Sequence, residues 1–249
     1  MAKLRALSLV RGLTPWLDLS AQSAASKLSA SRIAKRAAAV ALLVLAAFSL
    51  TSAQVPDCVP GKFSDYEKLG AEGCTVGQSR FSNFRYHQAS GGLPSSVISV
   101  TPGTSPGNDD PGLLFEATWV APSQQSSISY AVEVQPKGKP ISGATLEMQF
   151  ADITGAGEAK VVTEICPRAA TADNCAAAEL KLKLEVVLNP AARKVSDTGQ
   201  LNASTRQLSV IHLLSVAAGK GSAASFNGFM AVFHCKAAPA AGNIHPASQ

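Results

Sequence analysis

The sequence predicts an all-β fold: an antiparallel two-sheet β-sandwich with a short disulfide-tied N-terminal helix. Three observations predict it. Apolar residues recur with period two, most clearly over residues 180–188, where Leu180, Leu182, Leu184, Val186 and Leu188 alternate with Lys181, Lys183 and Glu185. A helix cannot place that pattern on one face, whereas a strand does so automatically. Glycine- and proline-rich turns separate such runs at intervals of roughly ten to fifteen residues, the rhythm of a sandwich or barrel. No long stretch of 3.6-residue periodicity and no strand–helix–strand alternation competes with this reading, and clean alternation is the mark of antiparallel sheets with one wet face.

The chain divides into three parts. Residues 1–53 read as a signal peptide with a long n-region. Lys35 and Arg36 flank an uncharged apolar run over residues 37–50, which is shorter than the roughly 20 residues a spanning helix needs. Thr51-Ser52-Ala53 supplies small residues for cleavage between Ala53 and Gln54. An uncleaved anchor, a transit peptide and a misassigned start for residues 1–34 are the alternatives. Residues 54–236 form the β-sandwich domain, and residues 237–249, rich in Ala, Pro, Gly and Ser, read as a disordered tail.

Within the domain, Ser64-Asp65-Tyr66-Glu67 has the form of a capping box for a short helix that Gly70 and Gly73 stop. Residues 81–86 alternate, with Phe81, Asn83 and Arg85 opposite Ser82, Phe84 and Tyr86. Residues 97–101 form a short strand, and Pro102 to Pro111 a loop. Residues 112–120 place Leu113, Phe115, Ala117 and Trp119 on one face. Residues 127–135 do the same with Ile128, Tyr130, Val132 and Val134. Residues 144–153 turn Leu146, Met148 and Phe150 inward, and Gly155-Ala156-Gly157 forms a hairpin into residues 159–166. Asn189-Pro190 ends the strand over 180–188. Residues 207–216 and 226–235 are the last strands, joined at Gly219-Lys220-Gly221.

All five cysteines lie beyond the leader, and an exported chain meets an oxidising compartment. Their spacing pairs Cys58 with Cys74 and Cys166 with Cys175. Cys235 is left over and reads as a buried free thiol, because it shares parity with Phe229, Ala231 and Phe233, with intermolecular pairing as the alternative.

Charge excludes one class of function. The leader holds Lys3, Arg5, Arg11, Lys27, Arg32, Lys35 and Arg36 against the single acid Asp18, so the mature part keeps 15 bases and 16 acids. With no basic stripe there is no nucleic-acid partner. Motifs for catalysis fail one by one. Gly103-Thr104-Ser105-Pro106-Gly107 has the letters of a nucleophile elbow. The residue after its serine is Pro106, which has no N–H to donate to an oxyanion. Gly219-Lys220-Gly221-Ser222 lacks the first glycine and the Ser/Thr after lysine of a phosphate loop. Asn108-Asp109-Asp110, with Glu116 nearby, offers too few ligands to specify calcium. His87 and His245 are isolated. His212 and His234 fall on the last two strands, where they would face each other across a hairpin. No catalytic, cofactor-binding or metal-ligating set emerges, and no cofactor is expected. The sequon Asn202-Ala203-Ser204 carries weight only in a host that glycosylates such sites.

Two stretches, Gly61-Lys62-Phe63-Ser64-Asp65-Tyr66-Glu67-Lys68-Leu69-Gly70 and Gly73-Cys74-Thr75-Val76-Gly77, are followed by Phe81-Ser82-Asn83-Phe84. Together with Gly112-Leu113-Leu114-Phe115 and the span from Cys166 to Cys175, the pattern resembles exported bacterial proteins that often carry a PEP-CTERM sorting tail. That resemblance implies an exported β-sandwich with no established catalytic role. The tail itself, with Pro-Glu-Pro, an apolar helix and a basic end, is absent before Ala247-Ser248-Gln249. The expectation is a secreted or periplasmic non-catalytic protein, a surface or matrix component or a binding module, with extracellular polysaccharide or other surface proteins as partners. A carbohydrate-binding module is the alternative, and a hydrolase with site residues dispersed over loops a third. No stable membrane span is expected once the signal is cleaved.

Overall fold

The computed structural model describes residues 54–89, 91–105, 108–121, 123–166, 175 and 180–235. The expected leader (1–53), the tail (237–249), Pro106, Gly107 and His245 lie outside the described residues. In order come β1 (Gly61–Lys62), α1 (Phe63–Lys68), β2 (Cys74–Val76), β3 (Ser79–Gln88), β4 (Ser99–Thr104) and β5 (Pro111–Val120). β6 (Ser123–Val134), β7 (Ile141–Gln149), β8 (Asp152–Thr154), β9 (Glu158–Cys166) and β10 (Leu182–Asn189) follow. The chain closes with β11 (Ala192–Lys194), β12 (Ser196–Thr205), β13 (Gln207–Ala217) and β14 (Ala223–Cys235).

These strands form two sheets, each of seven strands among the described residues. The first runs β1-β4-β5-β14-β7-β12, with β8 beside β14. The second runs β11-β10-β9-β13-β6-β3-β2. Among the described residues every pairing of these strands is antiparallel, so the expected sandwich is the observed one. Period-two patterning explains which side faces in. Leu113, Phe115 and Trp119 of β5 meet Ile128, Tyr130 and Val132 of β6 in one core, joined by Leu184, Val186, Phe229 and Phe233. Wherever one face is buried, a one-residue slip exposes the whole apolar set, so register is strongly fixed.

Several local expectations are corrected. Gly155-Ala156-Gly157 is not a hairpin, because β8 pairs with β14 while β9 pairs with β10 and β13, so the turn crosses between sheets. The Gly219 turn likewise carries the chain from β13 in the second sheet to β14 in the first. Phe150 is not inward; it is 80% exposed, at a positive φ of 48° just past β7. In β3 a bulge between Ser82 and Arg85, with Asn83 at φ 56°, restarts the alternation, so Phe81 and Phe84 are both buried. Leu180 precedes β10 and packs instead in a small cluster with Cys166, Cys175 and Ile211. The capping box does not form: α1 begins after Lys62 without a side-chain cap, and Glu67 accepts the Tyr86 N–H at 3.2 Å. The helix is held instead by burial of Phe63 and Tyr66 and by the Phe63 N–H on the Ile98 carbonyl.

Both expected disulfides are present, Cys58–Cys74 and Cys166–Cys175, and Cys235 is free. The first bridges 16 residues and ties the arm before β1 to β2, where Thr75 and Pro56 already share a backbone bond. A loop of that length constrains the unfolded chain by about 3 kcal/mol. Replacing Cys58 and Cys74 together by serine is therefore expected to lower stability by about 3 kcal/mol, read as a lowered urea midpoint at unchanged slope. Among the described residues no helix is long and apolar enough to cross a membrane.

Candidate functional site

Chemistry-bearing side chains converge in two places, one inside the core and one on the outer face of the first sheet. The expected pairing of His212 with His234 does not occur. Their strands belong to different sheets, and the two rings point to different environments.

His212 lies on the inward parity of β13 and is fully buried. Its Nδ1 is 2.7 Å from Thr163 Oγ1 on β9, and its Nε2 is 3.0 Å from Tyr130 Oη on β6. A neutral imidazole has one donor and one acceptor, and a hydroxyl complements either, so the trio is satisfied without charge. Burial pushes the His212 pKa down to about 3, and the same burial holds the Tyr130 phenol well above its usual value. Phe115 and Phe229 pack against the ring. The site is sealed, and it specifies the core rather than meeting a substrate.

His234 takes the opposite parity. Phe229, Ala231 and Phe233 fill the core, which leaves His234 outward near the end of β14, with its side chain 23% exposed. Between β4 and β5, the Ser105 N–H donates to the Asp110 carbonyl at 2.9 Å. Asp110 is only 4% exposed. Its Oδ1 accepts the Cys235 N–H at 2.8 Å, and its Oδ2 lies 2.9 Å from His234 Nδ1. His234 Nε2 is 2.8 Å from Thr145 Oγ1 on β7, which is 2.8 Å from Thr198 Oγ1 on β12. The acceptor-only carboxylate fixes one end of the chain, with Nδ1–H donating to Asp110. The Thr145 and Thr198 hydroxyls, each both donor and acceptor, complete it.

Carboxylate, imidazole and hydroxyl in that order form the arrangement that activates a nucleophile. Acyl transfer also needs N–H donors aimed at the developing oxyanion. β7 is an inner strand, and Thr145 is paired with Val232 on one side and Thr198 on the other, so the backbone beside its hydroxyl is committed to the ladders. The chain of bonds acts as a clasp that ties Asp110, at the head of β5, to β14, β7 and β12. Asp110→Ala leaves the Cys235 N–H and the His234 ring without their acceptor. A loss of about 1–3 kcal/mol is expected, with a smaller one for Asp110→Asn, measured by thermal unfolding.

The remaining sequence candidates fall apart from this cluster. Asp109 is exposed at φ 54°, and Asp110 is spent in the clasp, so the Asn108-Asp109-Asp110 stretch does not act as a ligand set. Among the described residues no group of three potential metal ligands comes together. Gly103 and Thr104 end β4, and the turn at Gly219 uses Ser222 Oγ to accept the Ala156 N–H. Burial pushes the Cys235 thiol up, with the Asp110 charge adding to it, so the half-buried thiol is a poor nucleophile. Sequence reasoning named Asp110 and His234 separately and missed Thr145 and Thr198. The pair is 124 residues apart in the chain, and its one visible signal is the outward parity of His234.

Around the clasp, the outer face of the first sheet presents Thr101, Leu114, Glu116, Met230 and Glu147. Thr101 Oγ1 donates to Glu116 at 3.4 Å. Phe150 follows the end of β7 directly and is exposed.

No protein-family description matches the chain, and no curated protein matches it. Among solved structures it is similar to TmCBM61 in complex with β-1,4-galactotriose (11% identity, TM-score 0.27, 60% of this chain and 88% of that one). It is similar to carbohydrate-binding modules of the β-sandwich superfamily at 11% identity and TM-score 0.25, over 70% of this chain and 63% of that one, just under two thirds of their length. It is also similar to Trichoderma harzianum endoglucanase 3 from family GH12 at 10% identity and TM-score 0.21, over 64% of this chain and all of that one. These TM-scores are too low to transfer ligand or chemistry.

Proposed function

We propose that this chain is an exported β-sandwich protein that acts by binding rather than by turnover, as a surface or matrix component or a binding module. The observation that carries the reading is the clasp. The one carboxylate–imidazole–hydroxyl chain among the described residues sits on strands whose backbone donors are committed, and its groups hold Asp110 against the sheet. The apolar run before Ala53, the two disulfides and the resemblance to exported proteins of the PEP-CTERM type support placement outside the cytoplasm. Partners are extracellular polysaccharide or other surface proteins. The full-length protein recovered from an extracytoplasmic fraction tests it, assayed against ester, peptide and glycoside substrates. No turnover is expected. An activity that survives purification and disappears with Thr145→Ala overturns the reading.

One observation favours a carbohydrate-binding version. Phe150 is an exposed aromatic ring on a positive-φ backbone, a costly conformation for a bulky residue that core packing does not explain. On immobilised polysaccharides, binding that Phe150→Ala weakens at least about tenfold, or about 1.4 kcal/mol, is the expected result of this version. Absence of glycan binding sets it aside and leaves the protein-partner form.

A further inference from the structure

We infer that Gln54, the residue freed by cleavage after Ala53, is a modification site that closes to a pyroglutamyl lactam. The inference rests on the export reading above, which creates the terminus.

The fold fixes the chain just after this residue. Pro56 accepts the Thr75 N–H at 2.8 Å, the Cys58 N–H donates to the Thr75 carbonyl at 2.8 Å, and Cys58 is bonded to Cys74. Gln54 itself is exposed. The next residue, Val55, lines a groove of about 690 Å³ together with Arg80, Glu133, Arg206 and Gln207.

The charges of that groove favour a neutral terminus. It holds two guanidinium groups and one carboxylate. Both carboxylate oxygens of Glu133 are already engaged, one by Arg80 Nη2 and the other by Gln207 Nε2 at 2.8 Å. Arg206 Nη1 donates to the Gln135 carbonyl at 2.9 Å. The acid closest in sequence, Asp57, accepts the Thr75 hydroxyl at 2.9 Å. Arg80 is ion-paired with Glu133, so an α-ammonium one residue from this groove meets the charge of Arg206, and a like charge disfavours the protonated form. The free amine is the nucleophile. It attacks Cδ of its own side-chain amide, a new C–N bond closes the five-membered ring, and the Cδ–Nε2 bond breaks. Ammonia leaves with the proton given up by the amine. No oxidant or reductant enters, and the product is neutral and lacks the amine that aminopeptidases require.

The test is N-terminal peptide mapping of the full chain as its host exports it. Freshly recovered protein is amine-labelled, reduced, alkylated and cut with trypsin. Labelling blocks cleavage at Lys62 and Lys68, so the terminal peptide runs to Arg80. The expected peptide starts at Gln54, is lighter by one ammonia and carries no label on its terminus. Gln54→Ala, exported in parallel, is expected to carry the label there. A labelled, full-mass Gln54 terminus overturns the lactam and leaves export standing. A terminus elsewhere in an extracytoplasmic protein overturns the site, and an uncleaved chain overturns both readings.

Discussion

Acidification from neutral pH is expected to destabilise the sandwich through a single side chain, His212. In the unfolded chain this imidazole takes a proton near pH 6.5, whereas in the core it does so only near pH 3. Between those values the unfolded state binds one proton more than the native state. Unfolding then takes up a proton, and stability rises with pH. The contribution is fully present above about pH 6.5. It is lost on the way down by up to about 1.4 kcal/mol per pH unit, until the folded-state value is reached. Carboxylates add their own acid dependence at the low end, so the window that isolates His212 is roughly pH 5 to 6.5. Urea midpoints of the parent and of His212→Gln check it there. The parent is expected to lose stability steeply across that window, and the variant is expected to start lower and run flat. Equal slopes would mean that His212 is hydrated and charged in the native protein.

The same residue shows what a sequence can and cannot reveal. His212 shares the inward parity of Val210 and Leu214, so its burial was there to be read, but the sequence reading set it opposite His234 across a hairpin instead. Its partners were not, because Thr163 lies 49 residues away on a strand that becomes a neighbour only through sheet order. Strand existence followed from period-two patterning wherever one face is apolar, as in β5, β6, β10 and β13. It failed for β12, whose Ser-Asp-Thr-Gly-Gln-Leu-Asn stretch is an edge strand half-exposed on both faces, with no apolar alternation to read. Missing β12 removed Thr198 from view and with it the end of the clasp. The turns at Gly155 and Gly219 were located correctly but their destinations were not, and the expected Pro102–Pro111 loop is shorter, because β4 runs on to Thr104 and β5 starts at Pro111. Glycine and proline specify local backbone geometry and carry no information on whether the next strand joins the same sheet or the opposite one. Phe150 was misplaced because continuing the parity of Leu146 and Met148 assumed an extended backbone, which its positive φ interrupts. Disulfide pairing was legible from spacing because both bridges are local, at separations of 16 and 9 residues.

Phe229→Ala is expected to be the most damaging single truncation, and its effect reaches His212. The Phe229 ring is fully buried on β14, stacked on Phe115 at 4.9 Å between centroids, 4.8 Å from the His212 ring and 6.2 Å from Trp119. Its strand is paired on both sides, with Phe229 opposite Phe115 on β5 and Met148 on β7, so the backbone cannot collapse inward to fill the space. Removing a phenyl ring under that restraint costs about 3–5 kcal/mol, the transfer term plus an unrelaxed cavity. Met230→Ala, one residue along and on the outer face, is expected to cost about 1 kcal/mol or less, because a half-exposed side chain leaves no enclosed void. The cavity opens against an imidazole that burial alone keeps neutral. Water entering beside it relieves that desolvation, so Phe229→Ala is expected to show a shallower loss of stability between pH 6.5 and 5 than the parent. Two residues in contact are non-additive, so the double variant with His212→Gln should lose less than the two single losses combined. A small, pH-independent loss on Phe229→Ala would contradict the packing of the two sheets around this ring, and strict additivity would contradict its coupling to His212.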